Sequence, residues 1–250
     1  MIKFFRHIRQ GLIKENRFSK YLLYAVGEII LVVIGILLAL QFNDWKDHRK
    51  NLVAEQKILQ GLLTEFENAE FELKGDDSMR VVIRNSVSKV LKIKNGELSP
   101  SNDFDSIATL LEYIKMYRFY TPSHPQLNDL QSSGKFDMVS SKATKNALLK
   151  YLEWWDRISN IEKNAQNSII NNIHPYLSQN CDLSLLSAKN LENQEQLISQ
   201  FKTMLKDPTF GSIMRLRLED LYTIIYYSEF LMEDIKTCQE TILRDLNQPE

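Results

Sequence analysis

Histidines are the side chains in this sequence best suited to metal binding, and their spacing argues against a metal site. No two of them stand three or four residues apart, the spacing that lets one helix present two ligands to a metal ion. The sequence therefore predicts no metal site and no cofactor. His124, in a predicted turn, and His174, at a predicted helix end, each precede a proline, and we interpret both as polar or capping residues. The four histidines are His7, His48, His124 and His174.

Other catalytic motifs are also missing. The segment "SSGKF" (132–136) contains a Gly-Lys pair but lacks the upstream glycine and the following Ser or Thr of a phosphate-binding loop. No G-x-S-x-G motif occurs, and no nucleophile stands beside a recognisable base. Carboxylate pairs such as Asp76-Asp77 are normal at helix starts and on solvated faces. The sequence therefore predicts that the protein is not an enzyme.

Aromatic side chains concentrate in three parts of the chain. Tyr and Trp side chains can line a ligand pocket between helices. Their helical spacing here favours packing in a core instead. The residues are Tyr113, Tyr117, Phe119, Tyr120, Tyr151, Trp154, Trp155, Tyr222, Tyr226, Tyr227 and Phe230.

The longest apolar segment, Tyr21–Phe42, has the length of a membrane span. Its 22 residues include fourteen Leu, Ile, Val or Phe, and a helix needs roughly 20 residues to cross the hydrocarbon. These fourteen contribute on the order of −4 to −8 kcal/mol to insertion, whereas the single acid, Glu28, costs roughly 2.5–3.5 kcal/mol. The apolar contribution is the larger, and the core is too long for a cleaved signal peptide. We interpret the segment as an uncleaved signal anchor that contacts the lipid bilayer.

Charge asymmetry predicts the orientation of this span and a four-part organisation. Residues 1–20 carry six Lys or Arg and one Glu, whereas residues 44–250 carry 25 basic and 30 acidic residues. By the positive-inside rule, the N-terminus lies in the cytoplasm and the body on the opposite side of the membrane, which is the periplasm in a Gram-negative cell. The predicted parts are a basic amphipathic arm (1–20), a transmembrane helix (21–42), a stalk helix (43–75) and a periplasmic α-helical domain (76–250). No long basic tract lies outside the arm, so nucleic acid is not an expected partner.

Small residues within the span predict a helix–helix interface. Gly27, Gly35 and Ala39 share one helical face, and small residues let two membrane helices approach closely. The interface would serve a homo-oligomer or another envelope membrane protein. The ionisable Glu28 neighbours this face, where it either pairs with a polar group of a partner or reaches toward the cytoplasmic headgroups.

The remainder of the chain predicts an all-α fold. Apolar residues from Leu52 to Leu73 recur with spacings of three, four and seven, which predicts a stalk helix that continues the span and ends at Gly75-Asp76. A second helix is predicted to begin at Gly75-Asp76 and to end at about Ile93. Further helices are predicted to begin near Phe104, within "TPSHP", at Lys142 (ending at about Asn172) and at Pro208, and they give a bundle of about five or six helices. The body's two cysteines allow a disulfide in the periplasm, although two unpaired buried thiols are the favoured interpretation; they are Cys181 and Cys238.

Three segments of the sequence resemble a known protein family. The stretch "FFRHIRQGLIKENRFSKYLLYAVGEIILVVIGILLALQFNDW" (4–45) resembles the N-terminal signature of bacterial single-pass membrane proteins that are classified only as a domain of unknown function and occur mainly in Gram-negative Bacteroidota. The segments "LQSSGKFDMV" and "YLEWW" are similar to the middle region of that family. The resemblance implies an inner-membrane anchor and an α-helical body. It implies no catalytic residues.

These observations predict a membrane-anchored, non-enzymatic periplasmic protein that acts through protein–protein interaction or scaffolding in the cell envelope. The alternative is a periplasmic ligand-sensing helical domain that acts through a membrane partner, with the aromatic residues forming its pocket.

Overall fold

The computed structural model describes residues 18–187 and 189–247, and within them the fold is helical without strands. The all-α prediction is therefore confirmed. Two 3-10 turns (Lys135–Met138 and Leu183–Ser187) and a π-helical segment (Ile169–Ile173) accompany the α-helices. The α-helices are α1 (Phe18–Lys94), α2 (Phe104–Lys115), α3 (Pro125–Ser132), α4 (Lys142–Ser168), α5 (His174–Asn180), α6 (Leu191–Lys206) and α7 (Pro208–Asn247).

Helix α1 does not end at Gly75, contrary to the sequence prediction. It continues to Lys94 and has 77 residues. A glycine inside a helix costs only roughly 0.5–1 kcal/mol relative to alanine. Buried side chains on both sides of this point, Leu73 and Ile83, anchor the helix against the rest of the body and outweigh that cost.

The apolar part of α1 is long and apolar enough to span a membrane. None of its most apolar 18-residue window is buried inside the fold. Side chains such as Ile29, Leu31 and Leu38 are 61–70% exposed.

The chain divides into two compact units, with the boundary between Gln56 and Lys57. The second unit contains two hydrophobic cores. We call the first core A: it joins α1, from Leu59 to Leu73, to α3, α4 and the C-terminal half of α7. We call the second core B: it joins α1, from Ile83 to Ile93, to α2, α6 and the N-terminal half of α7.

The apolar seam that predicted a stalk belongs to core A. Leu59, Leu62, Phe66, Ala69 and Leu73 are all buried among residues of α3, α4 and α7. This part of α1 is therefore a helix of the bundle, and its seam is not available for a coiled coil with a second chain.

Helix ends follow the polar residues and prolines of the sequence. The Asp103 and Ser141 side chains accept hydrogen bonds from the first turns of α2 and α4. At α7, the Asp207 carboxylate accepts from the Thr209 N–H at 2.8 Å. Helix α4 was predicted to reach residue 172. It gives way instead to the π-helical segment, and Pro175 is accommodated in the first turn of α5, where its missing N–H costs little.

Both cysteines are free and buried. Cys181 lies in core B and Cys238 lies in core A. Their separation between two cores explains why they do not form a disulfide.

Candidate functional site

The two cores are separated by a layer of buried charges. On α1, Arg80 lies between Leu73 of core A and Ile83 of core B, and it is 1% exposed. On α4, Glu162 lies between Ile158 and Ile169 and is 2% exposed. We call Arg80, Glu162 and the neighbouring Arg217 of α7 the polar layer.

Arg80 and Glu162 form an ion pair within this layer. One terminal nitrogen of Arg80 donates to a Glu162 carboxylate oxygen, and the other donates to Asp77 at 2.8 Å. Burial raises the pKa of the Glu162 carboxyl to about 7, although Arg80 and the backbone N–H of Tyr120 both favour the ionised form. Loss of hydration is therefore the dominant influence on this carboxyl.

The polar layer holds the irregular connection between α2 and α3, residues 116–124. The Glu162 carboxylate accepts from the backbone N–H of Tyr120 at 3.2 and 3.3 Å. Arg217 donates to the backbone carbonyl of Met116 at 2.6 Å, and burial lowers the pKa of its guanidinium to about 10. Buried irregular backbone needs such partners because it cannot bond within a helix or sheet. The two charged side chains therefore position the 116–124 connection.

His124, at the end of this connection, is part of the same buried network. Its Nε2 lies 2.5 Å from the Tyr151 hydroxyl, which lies 3.3 Å from the Tyr120 hydroxyl. On the other side of the ring, Nδ1 lies 3.7 Å from the Glu65 carboxylate. Glu65 in turn accepts from the backbone N–H of Gln126 at 2.5 Å and thereby caps α3. His124, for which the sequence predicted a polar or capping role, therefore forms a buried hydrogen bond with Tyr151.

A small cavity of about 10 Å³ lies within the polar layer. It is lined by residues that include Arg80, Glu162 and Arg217. Such a volume admits nothing larger than about one water molecule. Among the described residues, no group of three or more His, Cys, Asp or Glu side chains is placed to hold a metal ion.

An open groove lies on the outer side of the 116–124 connection. One wall consists of α1 residues from Phe71 to Val82, and the other consists of Arg118, Phe119 and Thr121. Its volume is about 560 Å³, within the usual range of ligand and peptide clefts. We call it the α1 groove.

The aromatic residues divide between a core and a surface. Tyr151 and Tyr120 are buried in core A. On α4 and α7, Trp154 stacks on Phe230 with ring centroids 5.2 Å apart, and Arg157 lies 4.7 Å from the Trp154 ring. Tyr226, beside Phe230, is 56% exposed. The prediction that the aromatic residues pack in a core is therefore correct for only some of them.

The predicted helix–helix interface of the span is open within this chain. A Cβ atom added at Gly27 or Gly35 would meet nothing within 4 Å, and Ala39 is exposed. Glu28 is half-buried.

The other histidine that was predicted to have a polar or capping role is His174. Its Nε2 atom lies 3.4 Å from the backbone carbonyl oxygen of Lys115. His7 lies outside the described residues.

Residues 28–158 match the model of a family of unknown function, DUF6090. The chain belongs to this family. The matched DUF6090 region runs from Glu28 in the apolar helix to Ile158 on α4, and it contains all of the α1 groove and the 116–124 connection. No curated protein and no solved structure matches this DUF6090 chain.

The polar layer was not predicted from the sequence, although the spacing of its residues contains a signal for it. Arg80 stands seven residues after Leu73 and seven before Val87, so it occupies a seam position of α1. Glu162 stands seven residues before Ile169 of core B. Charged residues at core positions of two helices indicate a buried pair, but the heptad pattern alone does not identify the two as partners.

Proposed function

We propose that the protein is a single-pass anchor of the bacterial inner membrane whose periplasmic helical body binds another envelope protein. The observation that carries the proposal is the exposure of the apolar window of α1, of which no part is buried inside the fold. A contiguous exposed apolar surface of this size marks contact with a membrane or a partner. The 22 residues from Tyr21 to Phe42 extend about 33 Å as a helix, close to the roughly 30 Å of the hydrocarbon core.

Aromatic and basic side chains at the end of this segment support the anchor. Trp45 is 54% exposed, and the Arg49 guanidinium lies 5.2 Å from its ring. Trp residues concentrate at the membrane–water interface, where an apolar ring and a polar group are both accommodated. The domain layout is then a cytoplasmic arm (1–20), the span (21–42) and a periplasmic body.

The α1 groove supports an interaction role for the body. Phe71, on its edge, is 80% exposed, and Met79, Val82 and Phe119 line the same groove, so the exposed apolar side chain belongs to a patch. The groove also holds an open volume rather than packed side chains. The small-residue face of the span, with Gly27, Gly35 and Ala39, offers a second contact within the membrane.

Orientation is tested by reporter fusions to the C-terminus. We expect an alkaline phosphatase fusion to be active and a green fluorescent protein fusion to remain dark, because the body lies in the periplasm. The reverse result would place the body in the cytoplasm and refute the proposed topology.

The interaction role is tested by crosslinking the tagged full-length protein in living cells and identifying the captured chains by mass spectrometry. We expect a reproducible envelope protein. Substitution of Gly35 and Ala39 by leucine should reduce the adducts if the span is the contact, whereas adducts retained in that variant would assign the contact to the body. Recovery of no envelope protein besides the chain itself would contradict the role.

A further inference from the structure

The wall that helix α1 contributes to the α1 groove has a gap in its row of side chains. Phe71, Gly75, Met79 and Val82 follow one another at spacings of four, four and three, so they lie on one helical face. Gly75 has no side chain, and a Cβ atom added there would meet nothing within 4 Å. The face therefore carries a notch between Phe71, one turn before it, and Met79, one turn after it.

Folding does not explain this glycine. It lies in the interior of a continuous helix, where glycine is less stable than alanine. No neighbouring side chain or backbone approaches closely enough to exclude a methyl group. The exposed position at Gly75 therefore leaves room on this face for a side chain from another molecule.

The notch is flanked by acidic side chains. Glu72 and Asp76 stand four residues apart on α1, where two like charges repel each other. Partial burial raises the pKa of the Asp76 carboxyl, and the charges of Arg80 and then Arg118 oppose this rise. Arg118 is the only cation among the described residues that line the groove. Arg80 is buried and bound to Asp77 and Glu162. The groove lining therefore carries two carboxylates and one guanidinium, an excess of negative charge that favours a cationic ligand.

The opposite wall is held in place from inside the body. Arg118, Phe119 and Thr121 belong to the connection that Glu162 and Arg217 bind through its backbone. A preformed wall lowers the ordering cost of binding. The α1 groove is therefore a rigid surface with an apolar floor, an acidic edge and one vacant side-chain position.

We propose that the α1 groove docks a helical segment of a partner protein, which places an apolar side chain over Gly75 and a flanking Lys or Arg beside Glu72 and Asp76. A side chain of one helix that enters a gap between the side chains of another is the usual contact of packed helices. This inference rests on the proposed interaction function and specifies its surface and the chemistry of the partner.

The test uses the full chain in lipid nanodiscs and two fluorescent helical peptides. The peptides share an alanine-leucine scaffold with a central leucine and differ only in carrying Lys or Glu on both sides of it. Binding is measured by fluorescence anisotropy. We expect the Lys peptide to bind and the Glu peptide to bind at least about tenfold more weakly, the effect of one lost hot-spot contact.

Variants locate the binding site. Gly75→Leu fills the notch and should weaken binding of the Lys peptide at least about tenfold. Gln196→Leu adds the same side chain at an exposed position of α6, outside the groove and away from this face of α1, and should leave binding unchanged. The double variant Glu72→Lys, Asp76→Lys should also abolish the preference for the Lys peptide, and it tests the charge argument independently of the folding of Gly75→Leu.

Several results would overturn the proposal. Preference for the Glu peptide would assign the groove to an acidic partner through Arg118. Binding that Gly75→Leu leaves unchanged, or no binding of either peptide, would remove the groove as the docking site. A dimer in nanodiscs that Gly75→Leu dissociates would assign the groove to a second copy of the chain. The crosslinking experiment in cells remains a separate test, so the interaction function stands if envelope adducts persist while the groove fails.

Discussion

Arg80 and Glu162, separated by 82 residues in the chain, form an ion pair in which both side chains are almost completely buried. They join α1 to α4 at the level where core A meets core B. The same carboxylate binds the backbone of Tyr120. One pair thus connects two long helices and an irregular segment.

Removal of one member of this pair should destabilise the body strongly. Arg80→Met leaves the Glu162 carboxylate buried without a cation, and the free energy of unfolding should fall by about 3–5 kcal/mol. Urea denaturation of the full chain in detergent, followed by circular dichroism, measures the change. The double variant Arg80→Met, Glu162→Leu leaves no buried charge and should recover part of the loss. A change below about 1 kcal/mol in Arg80→Met would show that the pair is not structurally important.

The raised pKa of Glu162 predicts a pH dependence with a definite sign. Its value is about 7 in the folded protein against 4.5 for a free carboxyl, so the folded state binds more protons between these values. The free energy of unfolding should therefore decrease as pH rises from 4.5 to 7, by up to about 3 kcal/mol from this group.

The matched control for that titration is Glu162→Gln, which keeps the shape of the side chain and does not ionise. Melting temperatures of both proteins across this pH range isolate the contribution of Glu162, since all other groups are common to both. A difference between the two proteins that stays constant with pH, or that changes with the opposite sign, would contradict the raised pKa.

Two glycines should respond in opposite directions to alanine substitution. Gly75→Ala should raise the free energy of unfolding by roughly 0.5–1 kcal/mol because the site is helical and open. Gly211→Ala should lower it by about 1 kcal/mol or more, because the new methyl displaces Lys94. The Lys94 ammonium donates to the carbonyls of Leu205 and Asp207 at 2.9 and 2.8 Å. Urea denaturation of both variants makes the comparison, and equal effects would contradict it.

The two cysteines should be unreactive in the folded protein. Burial raises the pKa of Cys181 to about 11 and raises the pKa of Cys238 further above its ordinary value, and the thiolate is the reactive form. Ellman's reagent at pH 8 should label neither thiol until denaturant is added, and both should then react. Rapid labelling without denaturant, or an internal disulfide found by mass spectrometry, would disagree with the structure.

The helical class and the long apolar helix could be predicted from the sequence because both depend on local composition and periodicity. A run of apolar residues from Tyr21 to Phe42 and a repeat of three, four and seven to Leu73 require no knowledge of partners. The same local signals located the start of α7 at Pro208, where Asp207 and the proline are adjacent in the chain. The error at Gly75 arose because a single glycine is a weak stop signal when distant residues support the helix.

The tertiary structure alone decided what the seam of α1 packs against and which charges are buried. Periodicity indicates that Leu62 and Phe66 face a partner, but a second chain and the chain's own α4 and α7 would produce the same pattern. The pairing of Arg80 with Glu162, the anchoring of the 116–124 connection and the notch over Gly75 all join residues far apart in the sequence. Such contacts depend on how the helices pack around two cores, and that packing is a collective property that no local stretch of sequence contains.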